Sequence, residues 1–481
     1  MTKSSKSELI RSLTLTGATM IVAGSMIGSG IFRKPATMAG QLLSPELLLI
    51  VWIAAGLITL VGALINAEIA GMIDSTGGQY IYLREMYGDF TAYMYGWSIL
   101  SVIQTGSQAA IAYVFAEYLN SYLLIGGLPE SFAGYEIYMP FVGMIKPFAE
   151  FGTKSIAIIV TLFLTGVNYI GVFFGGIVQT LVTFVKIASI IGLSILIFLL
   201  GDGSAANFTT GFDLPHESTS NLISVFGLAL AGAFWAYDGW NNVTFVSGEI
   251  KNPQRNVPLA LIYGTLIVIA VYVFINMAFL YVLPVDEMKN SDLVARTAAE
   301  KIFGLAGGTV ISIAVIISAF GALNGSILAT ARVQFAMARK GMFFESLGRV
   351  HPKFATPHIS LLVQGIWSAV LVLSGSFDTI SDYVIFAAWL FYMLGAFGIF
   401  ILRRKMPDAP RKFKMWGYPW TPAIFVIFSF LFLVNTIISD TENAMMGLML
   451  ILSGLPFYFY IRYRNKKQEG TVQRDEENSS N

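Results

Sequence analysis

The chain has 481 residues, 55% of them hydrophobic and 12% charged, with a formal net charge of +1. Soluble domains carry about 25% charged residues, so this complement cannot clothe a water-facing surface, and a near-neutral chain gives no footprint for nucleic acid. With no cysteine anywhere, disulfides, Cys-ligated zinc and iron–sulfur clusters are excluded.

Crossing the hydrocarbon core as a helix takes about 20 apolar residues. Twelve segments meet that need: 14–39, 46–73, 89–123, 153–171, 174–201, 221–249, 258–283, 306–337, 359–375, 381–402, 420–439 and 443–462. They are numbered below as spans 1 to 12. The N-terminal MTKSSKSELIRS lacks the apolar core and cleavage site of a signal peptide, so span 1 is expected to stay in the mature protein. The stretch 124–150 is long and of mixed polarity and predicts a surface loop with a short helix. The expected organisation is a tail over 1–12, one membrane domain over 13–462 and a polar, unstructured tail over 463–481.

Orientation follows from the cations. With the N-terminus inside, 22 of the 30 Lys and Arg fall on the inner segments, seven on the outer ones, and Lys186 lies within a span. A threefold bias predicts both termini in the cytoplasm by the positive-inside rule.

Two spans carry interruptions. Span 1 reads AGSMIGSGIF over Ala23–Phe32, with Gly24, Gly28 and Gly30 in seven residues. Each Gly costs about 1 kcal/mol of helix relative to Ala, so the cluster predicts local unwinding. Span 6 reads AGAFWAYDGWNN over Ala231–Asn242, with Gly232 and Gly239 flanking Asp238. Gly-interrupted segments at matching positions in two halves are the sequence pointer to an inverted-repeat transporter site. Unwinding bares N–H groups at the start of a half-helix, which suit a carboxylate, and carbonyls at the end of another, which suit an ammonium. A zwitterion fits such a pair. The competing reading of the glycines is close helix packing.

Several long motifs in one order carry a family resemblance. They are GSMIGSGIF in span 1, GGQYIYLREMYGD after span 2, and WAYDGWNNVTF followed by GEIKNPQRNVPLAL around span 6. FGALNGSILATARVQFAMARKG in span 8 and WLFYMLGAFGIFILRRKMPDAP in span 10 complete the set. From about Leu13 to Lys414 the chain resembles the L-type amino acid transporter family of the amino acid–polyamine–organocation superfamily. The resemblance implies an all-α membrane protein with the leucine-transporter fold: twelve transmembrane helices, five plus five in inverted repeat plus two, with helices 1 and 6 broken. It implies secondary transport of amino acids by alternating access. Carried over residue by residue, the carboxylate-binding stretch falls on Met26, Ile27, Gly28, Ser29 and Gly30. The carbonyls for the amino group fall on Trp235, Ala236 and Asp238, and the aromatic gate falls on Trp235. Many relatives have Phe and Gly where this chain has Trp235 and Asp238; the variant here resembles bacterial members and the transporter of neutral and dibasic amino acids. Eukaryotic relatives join a single-span glycoprotein through a cysteine after span 3, which this chain cannot do.

Lys186 stands near the middle of span 5, where an ammonium costs about 2.5–3.5 kcal/mol on insertion scales. It is therefore expected to face the protein interior, tied to carbonyls or hydroxyls; snorkelling, the other reading, works best near helix ends. In similar transporters a lysine of span 5 takes the place of a sodium ion, bridging spans 1 and 8, which implies sodium independence. Asp238 has two readings: a cap on the broken end of span 6, or a partner for a substrate ammonium or second cationic group. Glu68 and Glu249 read as gate or structural ion pairs, and Asn324 as a helix-to-helix hydrogen bond. His216, His351 and His358 are expected in loops, so no histidine relay is visible within the spans.

The leading expectation is thus a sodium-independent exchanger of L-amino acids, neutral ones first, with the lipid bilayer and the amino acid as its partners. It needs no cofactor, metal or disulfide-linked subunit, and its expected place is a bacterial inner (plasma) membrane. Proton-coupled uptake or uniport, with cationic substrates accepted, stays open. An enzyme lacks convergent catalytic groups in the spans, a channel lacks a selectivity repeat, and an ATP-driven pump lacks a G-x-x-x-x-G-K-[ST] loop.

Overall fold

The structure is a computed structural model that describes residues 11, 13–73, 77–140, 143–171, 176–209, 219–354 and 356–479. His216 and all of the expected N-terminal tail but Arg11 lie outside them.

Among the described residues, ten helices are long and apolar enough to cross a membrane, and the bent pair that makes up span 1 brings the number to eleven. The chain is a multi-pass membrane protein. Span 9 forms His358–Val372, only 15 residues, about 22 Å of helix at 1.5 Å per residue. His358 therefore opens a helix and does not lie in a loop as expected.

The chain divides into two compact units. The first comprises 1–86, 174–322 and 389–440, and the second 87–173, 323–388 and 441–481. Within the first, span 2 (Pro45–Met72) packs along span 7 (Pro253–Val282), which also holds span 5 (Gly176–Leu200) and the first half of span 1. Those spans turn apolar side chains outward as well as inward: Ile50, Leu57 and Leu199 are exposed. Lipid, which is as apolar as the core, makes that surface acceptable.

Within the second unit, span 3 packs on spans 4 (Phe151–Ile170) and 9, and the C-terminal helices pack on its first turns. Span 3 changes pitch at Ile99–Ile103, a single π-helical turn between Asp89–Ser98 and Gln104–Leu123. Its freed geometry is used by Thr105, whose hydroxyl donates to the carbonyl of Leu100 at 2.6 Å. A buried polar seam joins the helices of this unit. Asn168 donates to Asn324 Oδ1 at 2.7 Å, as the sequence led one to expect of Asn324. Ser368 donates to Gln108 Oε1 at 2.8 Å.

Two segments differ from expectation. The loop after span 3 contains the short helix Glu130–Ala133 but also a hairpin, Ile137–Met139 against Gly143–Ile145. Its β-branched and aromatic residues favour extended backbone, a signal too short to separate from loop. The polar C-terminal stretch continues helically as Gly454–Ser479. Lys, Gln, Glu and Arg are good helix formers, so an existing helix propagates through them without a new nucleus.

Candidate functional site

The first unit contains both interruptions. Span 1 is helical over Leu15–Met26 and again over Gly30–Leu42, and the two halves meet at 41°. The first half ends on Ile27, whose ψ of 88° turns the chain out of the helix. Ser29 precedes the second half without a side-chain cap, so the first N–H groups of Gly30–Leu42 have no local side-chain acceptor. Span 6 is α-helical over Thr219–Tyr237, turns through Asp238–Asn241, and resumes as a 3-10 helix over Asn242–Glu249. Gly239 makes that turn with φ of 90°. A Cβ there would also meet the carbonyl oxygen of Ser25 at 2.9 Å, so the turn of span 6 sits against the end of the first half of span 1.

The two breaks therefore lie together. A Cβ built on Gly30 would stand 2.7 Å from the Cα of Ala236 and 3.0 Å from Trp235 Cδ1. Met26, Ile27, Ser29, Gly30, Trp235 and Ala236 are all buried, while Gly28 and Asp238 are half-buried. This is one cluster, and it contains all eight candidate binding residues.

The backbone carbonyls in the cluster already have partners. Tyr272 of span 7 places its hydroxyl 2.7 Å from the carbonyl oxygen of Met26 and 3.0 Å from that of Ala236. One hydroxyl carries one proton, so it joins the ends of both half-helices by sharing it. The carbonyl of Trp235 accepts the N–H of Asp238 at 3.2 Å. Each carbonyl keeps a second lone pair. Sequence reasoning missed Tyr272; its signal is the position itself, a tyrosine within an apolar span, whose hydroxyl must find a partner when buried. Trp52 packs edge-on and Tyr237 tilted beside it, with ring centroids 5.6 Å and 5.1 Å away. Tyr237 donates to the carbonyl of Trp52 at 3.1 Å.

Lys186 reaches the same cluster. Its ammonium lies 3.5 Å from the carbonyl oxygen of Ile27, at the point where the first half of span 1 ends. Carbonyls at a half-helix C-terminus are the expected anchor for a cation.

Asp238 takes the backbone N–H of its neighbour Gly239 and also reaches across to span 10. One carboxylate oxygen accepts from the hydroxyl of Tyr392, in span 10, at 2.6 Å. The ring of Tyr392 is fixed by Trp240 and Trp389, with centroids 5.3 Å and 6.3 Å away. Tyr392 also lines a cavity of about 10 Å³ with Asn66, Gln79 and Trp240, roughly the room one water needs. Tyr392 too was missed, although it stands in the WLFYMLG motif.

Glu68 is fully buried at the end of span 2. Arg403 grips it with two hydrogen bonds, Nε at 2.8 Å and Nη2 at 2.7 Å, and the N–H of Met415 adds a third at 2.9 Å. The Arg403 guanidinium lies 3.6 Å over the ring of Tyr418. The pair ties span 2 to span 10 and the segment after it.

Comparison with known proteins agrees with this geometry. A family model described as amino acid permease matches residues 13–455. The chain is 35% identical over 459 residues to the serine/threonine exchanger SteT of Bacillus subtilis, covering 95% of this chain and 98% of that protein. It is 32% identical over 461 residues to the human b(0,+)-type amino acid transporter 1, with 95% and 89% covered. To the human large neutral amino acids transporter small subunit 2 it is 32% identical over 454 residues, with 94% and 80% covered. This likeness over almost the whole chain places the protein in the amino acid permease family of the amino acid–polyamine–organocation superfamily.

Proposed function

We propose that this protein exchanges L-amino acids, neutral ones first, across a bacterial plasma membrane by alternating access and without sodium. The observation that carries the reading is the meeting of the two breaks. The uncapped start of Gly30–Leu42 faces the same cluster as the carbonyl ends of Leu15–Met26 and Thr219–Tyr237. A zwitterion asks for that pairing: the stretch Met26–Gly30 for its carboxylate, through the amides of Ser29 and Gly30, carbonyls of Trp235, Ala236 and Asp238 for its ammonium, and the Trp235 ring as gate. Residues 13–462 form the transporter domain, and both tails lie in the cytoplasm. Transport requires no disulfide-linked subunit, because the chain has no cysteine to form the link.

Lys186 stands where a mobile cation would otherwise neutralise the end of the first half of span 1. A tethered ammonium there makes sodium unnecessary. The test is counterflow into proteoliposomes of the purified chain, with a panel of amino acids inside and one labelled amino acid outside. Uptake should need internal amino acid and be unchanged when sodium is replaced by potassium or choline. Strict sodium dependence overturns the role of Lys186. Uphill uptake driven by a pH gradient into empty vesicles overturns exchange in favour of proton coupling. Amines lacking the carboxylate should compete about ten- to a hundredfold less well than the parent amino acid, because a charge-assisted hydrogen bond is worth about 1.5–3 kcal/mol.

A further inference from the structure

Spans 10 and 11 (Phe377–Lys405 and Trp420–Ser439) leave an open groove of about 350 Å³ between them. Its lining is wholly apolar: Met393, Leu394 and Phe397 from one helix, Val426, Ile427 and Phe430 from the other. The segment joining the two helices carries charge. Residues 403–414 hold six cations and one carboxylate, Asp408. Three of the cations are engaged within the unit, Arg403 and Arg411 on Glu68 and Lys405 on the carbonyls of Glu85 and Met86. Arg404, Lys412 and Lys414 are exposed and have no ion-pair partner among the described residues. Trp416 and Trp420 stand beside them, 71% and 73% exposed.

Exposed Trp next to Lys and Arg marks the level of lipid headgroups. From Arg404 the groove lies about 10–16 Å along span 10, at Phe397 and Met393, and from Trp420 about 10–15 Å along span 11, at Ile427 and Phe430. The hydrocarbon of one leaflet is about 15 Å deep, so both helices put the groove where an acyl chain hangs below those cations. Helical spacing agrees: Arg404 shares a face with Phe397 and Met393, and Trp420 shares one with Ile427 and Phe430. We infer that this is a site for one anionic phospholipid, its acyl chain in the groove and its phosphate held by Arg404, Lys412 and Lys414. Any lipid tail can wet an apolar groove; the three uncommitted cations above it select the headgroup. Each such cation favours an anionic lipid by about fivefold in affinity.

Native mass spectrometry of the purified full chain tests this, with phosphatidylglycerol and phosphatidylcholine of identical acyl chains as probes. Wild type should retain one phosphatidylglycerol about a hundredfold more tightly than phosphatidylcholine. The triple variant Arg404→Gln, Lys412→Gln, Lys414→Gln should hold the two lipids alike. Should it not purify folded, Lys412→Gln with Lys414→Gln replaces it and should lower the preference about twentyfold. Ile427→Trp fills the groove, leaves every charge in place, and should release both lipids. Equal retention of the two lipids by wild type overturns the inference, as does a preference that survives loss of the cations. Unchanged retention by Ile427→Trp would sink it as well, by showing headgroup attraction without a seated chain. Because the chain has no cysteine, Phe430→Cys introduces a unique thiol. Complete disulfide cross-linking of that variant in phosphatidylglycerol vesicles would give the groove to a second copy and refute a lipid occupant, whereas a thiol that stays monomeric supports one.

Discussion

Gly30→Ala adds one methyl group at the closest approach of spans 1 and 6. The new Cβ would lie 2.7 Å from the Cα of Ala236 and 3.0 Å from both Ala236 Cβ and Trp235 Cδ1. Carbon atoms prefer about 3.5–4.0 Å, so the two backbones must part by about 1 Å. No side-chain rotation relieves a clash with a Cα. Overpacking of this kind costs about 1–3 kcal/mol, which is roughly 5- to 150-fold in any equilibrium between conformers. Gly28→Ala is the control from the same motif, because its Cβ would meet nothing nearer than the carbonyl oxygen of Met26 at 3.9 Å. Both variants should be purified in detergent, melted, and assayed for counterflow. Gly30→Ala should unfold at a lower temperature than Gly28→Ala and lose most of its exchange, and the larger Gly30→Leu should abolish exchange. Equal unfolding temperatures for the two alanine variants would refute the packing argument and leave the glycines as unwinding devices only.

Tyr272→Phe removes the hydroxyl shared by the carbonyls of Met26 and Ala236. Orphaned buried acceptors cost about 1–3 kcal/mol, so turnover should fall with little loss of folded protein; wild-type exchange would show that the two half-helices need no such tie. Glu68→Ala strips Arg403 of a buried partner. Breaking such a pair costs about 3–5 kcal/mol, and the melting temperature should drop by several degrees, whereas an unchanged melt would show that the pair adds nothing to stability. Lys186→Ala leaves the carbonyl of Ile27 without its ammonium. Exchange should be impaired more than substrate binding, and equal losses in both would place Lys186 in the substrate site.

Positions of the spans and the two glycine-interrupted segments are written in local pattern. A run of about 20 apolar residues has one economical conformation in lipid, because every backbone group must be bonded within the helix. Three glycines in seven residues weaken that helix wherever the chain places them. The eight candidate binding residues came from the family resemblance, and they lie in one cluster. Lys186 was equally legible, since an ammonium amid apolar residues must seek oxygen.

What local pattern does not contain is the partner of each polar atom. Asp238 reads as a cap or as a partner for a cationic group, and nothing near it in the chain announces the tyrosine 154 positions away that donates to its carboxylate. The carbonyl of Ala236 reads as free for an ammonium, and span 7 supplies Tyr272 to it. Glu68 reads as a gate or structural ion pair, and its partner, Arg403, stands 335 positions on. Hydropathy and propensity are properties of a residue and its few neighbours along the chain. A hydrogen bond between spans depends on rotation and register of two helices whose sequences do not encode each other's phase, so only packing of the whole unit assigns it.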